Sequence, residues 1–206
     1  ATRSAAKYWA SKTNREYINV QHNDQNGHVT AELYSEIVSP DTRVVTILHA
    51  SPVTGISVDL EAISKAVHSI SPEALIIVDG VQYAAHGGIT IDQYNIDGYA
   101  ISPYKMYSRH GYGLAWVSDR LTKMNHEQLF DGPSENWELG TRDTGSYATI
   151  SNVVQYLEWL GEKIENTESR SVKLYNAAKA IAAQETVLTD LMINGEDNIK
   201  GLKDLS

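Results

Sequence analysis

Four side chains able to do chemistry fall within one short stretch of this chain. Asp79 closes the apolar run Leu75-Ile76-Ile77-Val78, and Gln82 follows it three residues on. A second apolar run, Tyr99-Ala100-Ile101, delivers Ser102-Pro103-Tyr104-Lys105. A carboxylate can hold a proton or a cation. An amide and a hydroxyl can orient a polar ligand. A lysine amine can condense with a carbonyl to give a Schiff base. A helix-capping aspartate and a solvated surface lysine use the same residue types, so the pair by itself leaves both readings open.

Elements must carry these groups to one place. A short apolar run ending on an acid is how a buried parallel strand delivers a carboxylate at its C-terminal end, and ligands of open α/β sheets bind at that end. Upstream, the β-branched run Arg43 to His49 reads as another such strand, leading to His49-Ala50-Ser51-Pro52. Between the two strands, apolar residues at 60, 63, 66, 67 and 70 mark a helix from Val58 to Ile70. Strand, helix, strand is a βαβ unit. Tyr112 to Val117, after a Gly-bracketed turn, reads as a further strand. The remaining pattern predicts helices over Ala5–Ala10 and Thr30–Ile37, the latter capped by Thr30. It predicts a short strand at Tyr17–Val20 and a turn from Asn23 to Gly27. It also predicts amphipathic helices over Leu121–Leu129, Tyr147–Ile164 and Ser171–Leu191, the last capped by Thr167. His49 reads as a satisfied strand-end histidine, His86 as a turn residue and Asp97 as structural.

Composition bounds the rest. The 206 residues are 42% hydrophobic and 21% charged, an ordinary globular balance and enough for one large domain. The net charge of −9 comes without a basic cluster, which argues against a nucleic-acid partner. No apolar run approaches the roughly 18 residues that span a bilayer, so no membrane partner is expected, and the cytoplasm is the expected location. There is no cysteine, hence no disulfide, thiolate metal site or cysteine nucleophile within these residues. A nucleotide-binding G-x-G-x-x-G run opening a helix is also missing.

The chemistry that joins a strand-end lysine to a neighbouring strand-end acid is that of pyridoxal 5'-phosphate, whose Schiff-base lysine is matched by an acid at the pyridine nitrogen. The order Asp79-Gly80-Val81-Gln82, then Ser102-Pro103-Tyr104-Lys105, then Gly111-Tyr112-Gly113 resembles the class V aminotransferase and cysteine desulfurase-like branch of the fold-type I pyridoxal-phosphate enzymes. That branch usually shows D-x-x-Q, S-x-H-K and G-x-G. Tyr104 stands where the family has His, as in a desulfurase-like subgroup with S-x-Y-K. The resemblance implies an α/β fold: the three-layer αβα large domain of fold-type I enzymes, here mainly its second half, over residues 1–165. A connecting helix and the start of a small C-terminal α/β domain follow over 166–206. Relatives run longer, so the chain reads as incomplete at both ends.

The resemblance also assigns roles. Lys105 would hold the cofactor as a Schiff base and then move protons. Asp79 would pair with the pyridinium, Gln82 would donate to the phenolic oxygen, and Ser102 and Tyr104 would contact the phosphate. A phenol at Tyr104 can donate one hydrogen bond but brings no positive charge. Ser51 is the surviving polar candidate of the family's S-N-x-T-G run, because Pro52 replaces the amide. Trp137-Glu138-Leu139-Gly140-Thr141 is similar to the family's F-E-x-G-T, whose threonine reaches the partner's phosphate, so Thr141 implies a homodimer with composite sites. Arg109 is open between an anion contact and a turn residue. The implied function is a pyridoxal-phosphate enzyme acting on a small amino acid, first as a cysteine desulfurase-like protein or C–S lyase. An aminotransferase or an isopenicillin-N-epimerase-like epimerase comes next. A binding module that keeps the fold without a working site is the alternative from another class.

Overall fold

A computed structural model of the chain describes residues 2–134 and 136–205. Helix α1 (Thr2–Lys12) is followed by α2 (Ala31–Ile37), β1 (Val44–Leu48), α3 (Leu60–Ile70), β2 (Leu75–Asp79), α4 (Ile91–Tyr94) and β3 (Gly98–Ile101). A single 3-10 turn, Pro103–Lys105, leads to β4 (Leu114–Val117) and the short α5 (Asp119–Thr122). Two long helices, α6 (Thr144–Ile164) and α7 (Arg170–Asn194), precede a small hairpin of β5 (Gly195–Glu196) and β6 (Ile199–Lys200), then a second 3-10 turn at Leu202–Asp204.

The main sheet has the order β1-β2-β3-β4. Its first three strands are parallel, with Leu48 opposite Asp79 and Asp79 opposite Ala100. The fourth is antiparallel, pairing Gly98 with Val117 and Ile101 with Leu114. The mixed α/β class and mostly parallel sheet are those expected. Successive strand residues face opposite sides. Val45 and Ile47 of β1 and Ile76 and Val78 of β2 share one side. They are buried with Leu60, Ile63 and Val67 of α3 and Tyr34 of α2. Each such side chain contributes roughly 1.5–3 kcal/mol by leaving water. The opposite side is more open: Val44 and Leu48 are exposed, and Leu75 and Ile77 are half-buried.

The far end of the sheet is closed by a charged cluster. The buried Asp97 carboxylate accepts from Arg120 Nε at 2.9 Å, Arg120 Nη2 at 2.7 Å, Ile76 N at 2.9 Å and Ser118 Oγ at 3.0 Å. Arg120 Nη2 also donates to the Ala74 carbonyl at 2.9 Å. Desolvation pushes the Asp97 carboxyl up, but these hydrogen bonds and the Arg120 charge outweigh it and hold it below the usual carboxylate range. Asp97 is thus structural, as its sequence context suggests.

Three local expectations are corrected. Tyr17–Val20 is extended but joins no sheet; among the described residues it finds no ladder partner, and an isolated strand cannot satisfy its backbone. The helix expected over Leu121–Leu129 stops after α5, a single turn capped by Ser118, whose Oγ accepts from Leu121 N at 3.1 Å. Met124 and Leu129, which would continue its apolar stripe, are exposed; without a surface to bury against, a short helix does not propagate. Helix α7 is capped by Ser169, whose side chain accepts from Val172 N. Thr167 instead accepts from Ser169 N at 3.2 Å, two residues too early to cap.

Candidate functional site

Parallel register brings the C-terminal ends of β1, β2 and β3 to one edge. Asp79 ends β2 there, flanked by Leu48 and Ala100. Ser51 lies three residues beyond β1. Gln82 lies half-buried in the turn after Asp79, and Ser102 and Lys105 bracket the turn after β3. Five of the expected side chains and Tyr104 are therefore carried by the same edge of the sheet. β4 must run back, so the chain leaves the sheet at Ile101 and returns at Leu114. That reversal places Tyr107 at φ 65° and Gly111 at φ 104°, the left-handed region where a non-glycine backbone is under strain.

Asp79 is half-buried and held by two donors. Thr2 Oγ1 donates to Oδ2 at 2.6 Å, and Val81 N donates to Oδ1 at 3.2 Å. Each carboxylate oxygen keeps a second lone pair, so a cationic N–H can still be accepted. Thr2 comes from α1, 77 residues away in sequence; nothing in its own surroundings in the chain marks it as a partner. Lys105 is half-buried, and its ammonium sits 5.6 Å from the centre of the Tyr104 ring. It enters no ion pair among the described residues. Ser102 precedes the turn without capping it, so its hydroxyl is not committed to the backbone there.

The other expected residues are differently engaged. Tyr104 stacks on His110 with centroids 3.9 Å apart and planes at 17°. Ser51 Oγ accepts from Val53 N and Thr54 N, both at 3.2 Å, closing the turn that Pro52 begins; its O–H remains a free donor direction. Thr141 is exposed, next to the Arg142–Glu138 ion pair. Arg109 lies 3.7 Å from Asp143, the N-cap of α6, so it serves the turn. Ser108 Oγ, 2.6 Å from both Tyr112 OH and Thr149 Oγ1, ties the lysine loop to α6 a second time. Thr141 lies two residues before Asp143, which Arg109 of the lysine loop approaches, but it does not join the Asp79 cluster.

Behind Asp79 lies an aromatic group that the sequence leaves unannounced. His49, 3% exposed, shares a 2.7 Å hydrogen bond through Nδ1 with the hydroxyl of Tyr99. It stacks on Tyr83, with centroids 3.6 Å apart and planes at 19°. Desolvation lowers the His49 pKa to about 4, so it is neutral near pH 7. Desolvation, with the nearby Tyr94, Tyr83 and Asp79, pushes the Tyr99 phenol up, so it keeps its proton.

The donor set suits an aldehyde cofactor with a basic ring nitrogen and an anionic tail. It has a carboxylate able to accept a ring N–H, an amine that enters no ion pair among the described residues, and hydroxyl and amide donors on the same edge of the sheet.

Known proteins bear on this arrangement. A family model described as aminotransferase class-V matches residues 3–190. Cysteine desulfurase CsdA of Escherichia coli is 31% identical over 167 residues, which cover 74% of this chain and 41% of that protein. Its crystal structure, with an S-sulfonic acid, matches with a TM-score of 0.61 at 26% identity, covering 76% of this chain and 46% of that one. Aminotransferase-like protein FGM3 of Gibberella zeae is 31% identical over 146 residues, 69% of this chain and 35% of that protein. A solved NifS-like protein aligns over 96% of this chain and 50% of its own with a TM-score of 0.67; at 18% identity it speaks for the fold alone. The chain spans less than half the length of these curated relatives.

Proposed function

Because this chain belongs to the aminotransferase class-V family, whose members are pyridoxal-phosphate-dependent enzymes, we propose that the edge bearing Asp79 and Lys105 is its cofactor site. We propose further that the protein acts there on an amino acid as a cysteine desulfurase or C–S lyase. When bound, the cofactor supplies a carbonyl that condenses with amines and a ring that withdraws electrons from the substrate's α-carbon. Lys105 Nζ would be the amine that holds the cofactor's carbonyl, and it is the base in reach of a proton at the substrate's α-carbon. Asp79 holds the proton on the ring nitrogen, because the charged form gains an opposite charge. Gln82 orients the phenolic oxygen. Ser102, Tyr104 and the O–H of Ser51 would donate to the phosphate. The exposed Thr141 would reach the phosphate of a second copy in a homodimer with composite sites. A cytoplasmic location belongs to the same reading.

The observation that carries this reading is the pairing of neighbours. Asp79 and the Lys105 turn leave adjacent parallel strands at the same edge, with the carboxylate already oriented by two donors and the amine without an ion pair. The similarity to FGM3 supports transamination as the second reading.

The test is borohydride reduction of the chain with pyridoxal phosphate, followed by peptide mass mapping. A reduced adduct on the peptide containing Lys105, absent in Lys105→Ala, is the expected result. An adduct confined to other lysines overturns the assignment. Sulfide release from cysteine, against keto-acid formation from an amino donor, then separates the two reactions.

A further inference from the structure

His49 and Tyr99 take no part in the chemistry above, yet they are built into the backbone that presents Asp79. Gly80 is buried, and a Cβ placed there would lie 2.1 Å from Tyr99 Cε1 and 2.5 Å from its hydroxyl oxygen. The hydroxyl end of the ring is therefore lodged directly against the residue after Asp79. His49 grips that hydroxyl at 2.7 Å, and its own backbone N–H donates to the Asp79 carbonyl at 3.0 Å. Gly80 N donates to the Ala100 carbonyl at 2.9 Å, next to Tyr99 in β3. Tyr83, stacked on the other side, keeps the imidazole from swinging away. The turn Asp79-Gly80-Val81 thus rests on a ring that β3 carries, that Tyr94 packs against and whose hydroxyl end His49 holds by one hydrogen bond. Val81 N, in turn, is one of the two donors that orient the carboxylate.

We propose that His49 and Tyr99 form a prop that fixes the Asp79-Gly80-Val81 turn and so aims the Asp79 carboxylate, making both of them positioning residues for the cofactor site argued above, on which reading the cofactor part of this proposal rests. Burial keeps both partners neutral, so the prop is a neutral hydrogen bond at neutral pH, insensitive to salt. It acts through Gly80, which explains why this position has room for no side chain. The groups facing His49 are Tyr83, Tyr94 and Tyr99. Asp79 is the charged group that acts on the Tyr99 phenol.

Tyr99→Phe removes the hydroxyl and keeps the ring. His49→Asn keeps a polar amide near the Nδ1 position. Ser71→Ala, which deletes the Ser71 hydroxyl bond to the Thr42 carbonyl at 2.8 Å, is the control for destabilisation elsewhere. Two readouts are taken on the whole chain. The first is amide hydrogen exchange at Gly80 and Val81 without cofactor. The second is visible circular dichroism per bound pyridoxal phosphate, with its dissociation constant. In Tyr99→Phe, Gly80 and Val81 exchange faster while Ile77 and Val78 do not. The cofactor's dichroism falls, and binding weakens about five-fold, the worth of one hydrogen bond. His49→Asn, which keeps a polar partner for the hydroxyl, stays close to wild type in both, and Ser71→Ala changes neither. Unchanged exchange at Gly80 and Val81 overturns the prop whatever the cofactor does. Faster exchange with unchanged dichroism and affinity overturns the positioning role. A wild-type chain that traps no cofactor on Lys105 while its exchange responds as expected overturns the functional reading and leaves the prop standing.

Discussion

At the scale of single residues, His49 couples the site to acid. Its folded pKa, lowered to about 4 by desolvation from an ordinary 6.5, means that the folded chain binds a proton less readily than the unfolded one. The stability that neutral His49 contributes is complete above about pH 6.5. It is lost progressively as the pH falls towards 4, where the unfolded chain is protonated and the native one resists. The difference is about 3 kcal/mol. The stability difference between wild type and His49→Asn, read by urea unfolding, should therefore be constant above pH 6.5 and shift against wild type by about 3 kcal/mol as the pH falls from 6.5 to 4; parallel pH profiles would disprove this. Asp79 and Lys105 are legible in the chain because their chemistry stands next to apolar strands. The partners that orient Asp79 are not. Tyr99 is 50 residues from His49, and Thr2 is 77 from Asp79, so neither contact leaves a local pattern.

At the scale of elements, the close approach of α6 and α7 depends on Gly161. A Cβ there would lie 1.8 Å from the Lys173 carbonyl oxygen, a backbone atom that cannot rotate away. Gly161→Val should separate the helices and lower stability by about 2 kcal/mol, as overpacking does, seen as a lower urea midpoint; an unchanged midpoint would show that the helices part freely. The βαβ unit could be read from sequence because a β-branched run and a stripe at helical spacing each specify one element on local grounds. Tyr17–Val20 and Leu121–Leu129 could not, because their fate depended on a partner strand and a burying surface that the local sequence does not encode. The cap of α7 was misplaced by two residues for a related reason: Thr167 and Ser169 are both capable oxygens, and only the backbone path selects between them.

At the scale of the whole molecule, the proposed composite site makes a prediction about two chains. If Thr141 of one copy completes the phosphate end of the other, Lys105→Ala and Thr141→Val chains are each defective alone. Their mixture contains one site with both residues intact in every mixed dimer. Mixed and re-equilibrated, they should trap more pyridoxal phosphate on Lys105 at limiting cofactor than the same amount of Thr141→Val alone. Equal trapping would place both residues in one chain's site, or remove Thr141 from it. The exposed Val44 and Leu48 on the open side of the sheet are apolar surface of the kind that association covers.

The Thr2–Asp79 contact has a kinetic side. The strands that carry Asp79 and Lys105 pair over short stretches of chain, whereas α1 must close a loop of 77 residues to reach Asp79. Loop-closure entropy grows only as the logarithm of length, about 0.6 kcal/mol per doubling, but it must be met before any long-range contact rewards it. The strand pairings around Asp79 thus close at a cost lower by about 1 kcal/mol than the Thr2 contact, and the Val81 amide is the donor that needs no long-range closure. In the reverse direction, displacement of α1 would strip Asp79 of that donor and leave its carboxylate with the Val81 amide.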